Sequence, residues 1–458
     1  MPNGALMTER LVVIGGDAAG MTAAATARRR VPAGQLDIVA FEKGNYTSYS
    51  ACGIPYLIGG LVSDVDALIA RAPAEHVRRG IDARIGHDVL VVDTDRRRVR
   101  VRAVETGVES WEAFDQLVIA TGSTPRRPPL PGVDANGIFG VQTLDDGLAV
   151  RAAADAAGVR HAVVVGGGYI GLELGEALVR RGLAVALVES APQPMSTLDP
   201  EMGELVADAL RAVGVDVYVG ERVEGFDTDA GRVTGVRTAA RALPADLVIL
   251  GLGVEPNSGL AREAGIPVGD SGGIAVDDHV RTGIDGIYAA GDCSETFHRV
   301  SQRPVVVALG THANKQGRVA GINATAGDAV FPGVLGTAAS KICKYEVART
   351  GLSEREAAAA GFDAVATSVD TTTRAGYYPD AAPIRVRVVA ELGTGRLLGA
   401  QIVGEEGAAK RVDVLAAAIW NDMTVDDVAS MDLSYAPPFA PVWDPTLMAA
   451  RRAAATLA

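Results

Sequence analysis

Short apolar runs recur along the chain, and most of them end on glycine. Leu11–Ile14 leads into Gly15, Gly16 and Gly20 and then into an alanine-rich stretch closed by Arg28, Arg29 and Arg30. That order predicts a buried strand, a tight turn and a helix. LDIVAFEK follows as a second buried strand ending at Glu42. The same order returns in HAVVVGGGYIGLELGEALVRRGLAVALVES, with Gly166, Gly168 and Gly171 in the turn and Glu189 closing the next strand. Further strands are expected in QLVIATGSTPRRPPLPG, ADLVILGLGVEPN and GIYAAGDCSE, the last presenting Asp292 at its end. Strands alternating with helices predict an α/β protein with two Rossmann-like dinucleotide-binding domains. The order along the chain places one domain at 1–125 and 252–330, a second inserted at 126–251, and a C-terminal α+β remainder at 331–458.

A chain of 458 residues divides into about two to four cores, and 48% hydrophobic residues supply them easily. The net charge of −13 argues against nucleic acid or an anionic membrane surface as partner. No apolar run approaches the length of a membrane span, and MPNGALMTER lacks a signal peptide's basic and apolar regions. The three cysteines, Cys52, Cys293 and Cys343, are few and far apart. Neither a zinc site nor a disulfide scaffold is expected, and a reducing, cytoplasmic setting fits.

Each glycine loop carries a chemical reason. Glycines let the chain turn tightly, and the free amides of the following helix attract a pyrophosphate. Glu42 and Glu189 stand where a carboxylate accepts ribose hydroxyls, and Glu189 would repel a 2′-phosphate, so NADH is expected ahead of NADPH. The first loop departs from the GxGxxG pattern, because Asp17 occupies its second glycine position. Either the loop shifts or Asp17 points away. Two dinucleotide sites in one chain suggest a relay in which a nicotinamide delivers hydride to a flavin.

Over essentially its whole length the chain resembles the flavin-dependent pyridine nucleotide-disulfide oxidoreductases. The resemblance implies FAD in the first domain, held by Gly15, Gly16, Ala19, Gly20, Glu42, Lys43, Ser48, Thr121, Gly122 and Asp292. It implies NAD(P)H in the second, held by Gly166, Gly168, Tyr169, Ile170, Glu173, Glu189 and Gly253, with Tyr169 as a gate over the flavin. It makes the C-terminal unit a dimerisation domain. Two-cysteine relatives carry CxxxxC and a C-terminal histidine; here no second cysteine follows Cys52, and no histidine lies beyond His312.

SYSACGIPYLIGG is similar to the SxxxCxxPY segment of coenzyme A disulfide reductases and NADH-dependent persulfide or polysulfide reductases. AGYYPD, DLSYAPPFAPVWDP, ANKQGR and Gly336-Thr337 match the same branch. The resemblance implies that Cys52 alternates between thiolate and mixed disulfide or persulfide. It implies that Tyr435 and one of Tyr377 and Tyr378 reach across a homodimer to serve as proton donors. Ser48 and Arg29 are its candidate substrate contacts, Arg29 for the phosphates of a coenzyme A-type thiol. Related NADH oxidases and peroxidases carry a histidine in the first glycine loop, where this chain has Ala18. The expected function is therefore FAD- and NAD(P)H-dependent reduction of a low-molecular-weight disulfide or persulfide. NADH oxidase activity is one alternative. Electron transfer to a protein carrier, or to a specialised pathway substrate, is the other. On residues alone, a helix starting beside Cys52 is expected to lower its pKa, and Cys343 is expected inside an apolar strand.

Overall fold

In the computed structural model, which describes residues 9–458, the apolar runs become the central strands of two parallel sheets. The N-terminal stretch read for a signal lies largely outside the described residues. The first sheet orders its strands Ile287–Ala289, Gln116–Ile119, Glu9–Ile14, Leu36–Phe41 and Asp82–Arg84, all parallel. Leu11, Val12 and Val13 are fully buried, as residues of a strand covered on both faces must be. One cover is the helix Ala18–Arg30, which packs on the helix Gly310–Asn323. Their backbones approach closely because the contact runs over glycine: a Cβ on Gly317 would overlap the Ala19 carbonyl, and one on Gly321 the Ala23 carbonyl. ANKQGR thus marks a helix-packing face.

The second sheet orders Val215–Val219, Ala184–Glu189, His161–Val165, Leu247–Leu250 and Ile138–Phe139, again in parallel. The chain enters and leaves this unit through two short strands, Ser123–Pro125 and Val254–Pro256, that pair antiparallel with each other. Each parallel sheet carries a three-stranded antiparallel flap, at residues 87–113 and 223–244.

The C-terminal unit is a five-stranded antiparallel sheet ordered Ala338–Ile342, Tyr345–Gly351, Leu397–Gly404, Pro383–Glu391 and Ala364–Thr372. The helices Val412–Trp420 and Pro445–Leu457 cover it. Cys343 is not within a strand; it sits in the turn of the first hairpin with φ +58°, a bend the apolar run ILE-CYS did not disclose. This unit is fastened to the second nucleotide-binding unit by a buried ionic cluster. Arg387 donates to Asp199 at 2.8 Å, Glu201 at 2.8 Å and Glu354 at 2.6 Å, and Gln401 donates to Asp199 at 2.7 Å. Every polar atom of Asp199 is used, which is what lets a carboxylate survive there. No helix among the described residues is long and apolar enough to cross a membrane.

Candidate active site

The two glycine loops are copies in detail. In the first, Glu42 accepts the Gly16 amide at 2.8 Å and the Gly44 amide at 2.7 Å. In the second, Glu189 accepts the Gly167 and Ala191 amides, each at 2.7 Å. Each carboxylate is thereby aimed across its own loop; Glu189 Oε1 also accepts the Ser190 hydroxyl at 3.2 Å, while both Glu42 oxygens and Glu189 Oε2 keep a lone pair for a sugar hydroxyl. Gly15 (φ +107°) and Gly166 (φ +100°) hold conformations that a side chain resists, and a Cβ at either would overlap a neighbouring carbonyl, Ala120 or Gly251. Gly20 and Gly171 are excluded from carrying a side chain in the same way, by the carbonyls of Gly15 and Gly166. Ala19 is buried under the loop, and Gly168 is the N-cap of the helix Tyr169–Arg180. This is a backbone cradle with open amides, twice over, and it fits two dinucleotides.

Other candidate residues complete the first cradle. Asp292 is mostly buried, accepts a hydrogen bond from the Ser123 hydroxyl at 3.1 Å, and burial raises its pKa. Thr121 donates to the Asn257 carbonyl at 2.7 Å, and Gly122 (φ +66°) takes the adjoining turn. Lys43 is exposed at the rim. Ile170 is exposed at the start of the second unit's helix, and Gly253 (φ +79°) turns at the exit crossing.

Asp17 answers the question its position raised. Its backbone is extended, its side chain makes no cap bond to its own helix, and its carboxyl turns to the Tyr49 amide. Burial first, and then the charges of Glu42 and Asp292, push that carboxyl up to about 7, while the amides of Tyr49 and Ala18 pull the other way. One of its oxygens is buried without a hydrogen-bond partner among the described residues. The segment it meets is tied to the same loop: Thr47 donates to the Gly16 carbonyl through its hydroxyl, and Ser48 donates through its amide at 3.1 Å.

Cys52 lies in a 3₁₀ turn, Ala51–Gly53, directly before the helix Ile54–Ile58. The residue is open to solvent, but its sulfur is crowded. Packing around it, followed by the Glu173 carboxylate and then by Asp17 and Asp292, raises its pKa. The expected lowering is overturned: a five-residue helix contributes less than burial and one carboxylate brought from another domain. Tyr56, one turn on, is raised by burial and by Glu173, Glu176 and Cys52, so its phenol stays a donor.

Glu173 reaches this point from the helix Tyr169–Arg180. It accepts the Ser340 hydroxyl of the C-terminal sheet at 2.7 Å, and burial raises its pKa. Glu176, a turn later, accepts the Cys343 amide at 2.7 Å. The three units therefore meet around Cys52. Tyr169 is held near Thr197, Arg349 and Glu356, with burial the main cause of its raised pKa. Cys293 is fully buried against the carbonyls of Ile119 and Ala290.

Arg28 is spent on the Gly80, Val31 and Leu36 carbonyls, whereas Arg29 and Arg30 each make one side-chain hydrogen bond among the described residues, Arg29 to Thr26 at 2.9 Å and Arg30 to Thr325 at 2.8 Å, and keep donors for an anion. Tyr377 is 78% exposed and Tyr435 46% exposed, and the Tyr377 phenol beside Tyr435 raises the latter's pKa. Tyr378 is half-buried. Of the two neighbours it is therefore Tyr377 that stands with Tyr435. Phe439, Val442 and Trp443 are exposed in the same loop, an apolar face on the C-terminal unit. None of these tyrosines is among the groups that chiefly set the surroundings of Cys52 in its own chain. Two polar partners of the candidate residues come from elements distant in the chain and carry no local signal: Ser340, which donates to Glu173, and His76, which lies against Ser48; Tyr56 stands inside the quoted Cys52 segment, without a role assigned there.

The comparisons with known proteins agree in kind. Residues 9–322 match the model of the pyridine nucleotide-disulphide oxidoreductases, and residues 337–445 match the dimerisation domain of the same enzymes. The chain is 39% identical over 446 residues to an NAD(P)H sulfur oxidoreductase (CoA-dependent) of Pyrococcus abyssi, covering 96% of this chain and 97% of the relative. It is 36% identical over 447 residues to an NADH oxidase of Methanocaldococcus jannaschii, covering 97% and 98%. A solved NAD-dependent persulfide reductase from A. fulgidus superposes with a TM-score of 0.94 at 38% identity, covering 98% of this chain and 83% of that one.

Proposed function

The chain belongs to the pyridine nucleotide-disulphide oxidoreductase family, and from that premise we propose that it reduces a coenzyme A-type disulfide or persulfide through Cys52. It is an FAD-dependent oxidoreductase that draws electrons from NAD(P)H and acts on sulfur compounds. The observation that carries the proposal is the placement of Cys52. It is an open thiol, without a disulfide partner, at the meeting point of the two dinucleotide cradles and the C-terminal sheet.

In this reading residues 1–125 and 252–330 hold FAD through Gly15, Gly16, Gly20, Glu42 and Asp292. Residues 126–251 hold the nicotinamide nucleotide through Gly166, Gly168 and Glu189, with NADH preferred because Glu189 rejects a 2′-phosphate. When bound, the two cofactors supply a hydride and then an electron pair. The chain's own residues do the rest. The Cys52 thiolate attacks a substrate sulfur, the S–S bond breaks, and one thiolate leaves. A tyrosine donates a proton to it. Cys52 then holds the other half as a mixed disulfide until two electrons and a second proton release it as a thiol. Across one cycle a disulfide, NADH and a proton become two thiols and NAD⁺.

The exposed Tyr377–Tyr435 face and the dimerisation domain support a homodimer in which these phenols act at the partner's Cys52. Arg29 supports a phosphorylated thiol, and three unpaired cysteines support a reducing, cytoplasmic setting. The test is Cys52→Ser assayed with NADH and coenzyme A disulfide, with mass spectrometry of Cys52 as purified. Retained disulfide reduction by the serine variant defeats the proposal. The 36% identity to an NADH oxidase favours oxygen as a second acceptor. Oxygen uptake matching NADH oxidation in the absence of any disulfide would establish it.

A further inference from the structure

The helix Pro73–Arg78 has a single buried residue, and that residue is His76 rather than an aliphatic one. It is 1% exposed. A ring with two polar nitrogens at such a site costs stability unless it is hydrogen-bonded for a reason. Nε2 lies 3.0 Å from the Ser48 hydroxyl, and Nδ1 is buried with no partner among the described residues. Burial, with the charges of Arg71 and Arg79 outweighing that of Glu75, holds the ring below its ordinary pKa, so it is neutral at physiological pH. A neutral imidazole carries one proton. If the proton were on Nδ1, a buried N–H would be orphaned; if it is on Nε2, only a lone pair is. Orphaned N–H groups are the rarer and costlier of the two. His76 therefore donates to Ser48.

That assignment fixes what Ser48 does. Its oxygen accepts from His76, so its own proton must point elsewhere, and the hydroxyl has no second partner among the described residues. Its backbone cannot turn to find one. Ser48 has φ +51°, a strained conformation for a non-glycine residue. Its amide is pinned to Gly16 at 3.1 Å, and its carbonyl receives the Ala70 amide at 2.8 Å and the Arg71 amide at 3.3 Å. The turn that presents Cys52 begins two residues later, at the Ser50 carbonyl that accepts from Gly53.

We propose that His76 is a positioning residue, whose Nε2–H holds the Ser48 hydroxyl as an outgoing hydrogen-bond donor to an anionic group of the thiol substrate bound at the Cys52 turn. The proposal rests on the reading of Cys52 given above. It adds a residue outside the Cys52 segment that selects for charge on the substrate.

Two measurements test it on the FAD-loaded enzyme. The first is the long-range ¹H–¹⁵N spectrum of His76, assigned by its loss in His76→Gln. It should show a neutral ring protonated at Nε2, and a ring protonated at Nδ1 or doubly protonated overturns the proposal whatever the enzyme's substrate. The second is protection of Cys52 from iodoacetamide by coenzyme A, with KM and kcat for coenzyme A disulfide beside it. His76→Leu should raise both the half-protecting concentration and KM about tenfold, the loss of one hydrogen bond to a charged group, with kcat changed less than about twofold. His76→Gln, whose amide N–H can replace Nε2–H, should recover most of the loss. The Ser48→Ala/His76→Leu double variant should be no worse than Ser48→Ala. Equal defects in His76→Gln and His76→Leu, or additive losses in the double variant, refute the coupling. Flavin content separates either result from misfolding. Absence of protection in the wild type would count against the coenzyme A reading and against Ser48 as its donor, leaving the spectrum to decide the tautomer.

Discussion

Replacing Asp17 by asparagine should change how stability depends on pH, and in an unusual direction. The carboxyl rises from an ordinary 3.8 in the unfolded chain to about 7 in the folded one. Between those values the folded protein holds a proton that the unfolded chain has lost. Stability therefore falls as pH rises through the window from about 4 to 7 and is flat on either side of it. At about 1.4 kcal/mol per pH unit, the loss attributable to Asp17 is about 4 kcal/mol at most. Asparagine keeps an oxygen for the Tyr49 amide and cannot ionise. The asparagine variant should match the parent near pH 4 and gain on it steadily to about pH 8, by up to about 4 kcal/mol. An anionic ligand at the glycine loop pushes the carboxyl further the same way, so the sign holds with it bound. Urea unfolding of both proteins at half-unit intervals of pH measures the difference directly. A difference that stays constant from pH 4 to pH 8 would show that Asp17 ionises normally, and the reasoning from its burial would be wrong.

Glu173→Gln should speed iodoacetamide alkylation of Cys52 about three- to tenfold at pH 7, because a carboxylate that raises the thiol's pKa is gone while Ser340 keeps an acceptor. Gly166→Ala should lose NADH affinity more than about tenfold with flavin content intact, since its Cβ would overlap the Gly251 carbonyl at φ +100°. Gly15→Ala should do the reverse, and the flavin absorbance of the two purified proteins decides it. Arg387→Met should cost about 3–5 kcal/mol, because it strands the buried Asp199 carboxylate. Calorimetry would then show a lowered melting temperature that Asp199→Leu partly restores.

What could be read along the chain was what depends on neighbours along the chain. The runs Leu11–Ile14 and Ala162–Val165 announce their strands because they are buried on both faces and no polar residue interrupts them. The glycine loops do so because only glycine fits beside the Ala120 and Gly251 carbonyls. Cys52 stood out through its flanking motif. The errors and omissions share another cause. The local pattern shows only the helix that Cys52 precedes, while burial and then the Glu173 carboxylate of the inserted domain raise its pKa, and both arise from distant parts of the chain. Asp17 looked like a flaw in a phosphate loop, and its direction is set by the Tyr49 amide. His76 falls at the one inward position of its helix, where local pattern says apolar, and its purpose is visible only when Ser48 is beside it.

The raised thiol at Cys52 bears on the chemistry in a way that a depressed one would not. In a mixed disulfide the thiol of lower pKa leaves faster. With burial first, and then Glu173, Asp17 and Asp292, raising its pKa, Cys52 would be the poorer leaving group against an ordinary small-molecule thiol. In the proposed cycle a free thiol that attacks the mixed disulfide would therefore expel the substrate half and leave Cys52 occupied. Exchange with the thiol pool swaps one passenger for another without freeing the enzyme, and only an electron pair does that. The same carboxylates keep the resting cysteine more protonated at neutral pH, and the thiolate is the form that oxidants attack. A depressed pKa would make Cys52 quicker to react and quicker to be released without consuming NADH. In the proposed cycle these surroundings would favour release of the substrate half by an electron pair over release by exchange, and so would tie turnover to the nicotinamide nucleotide.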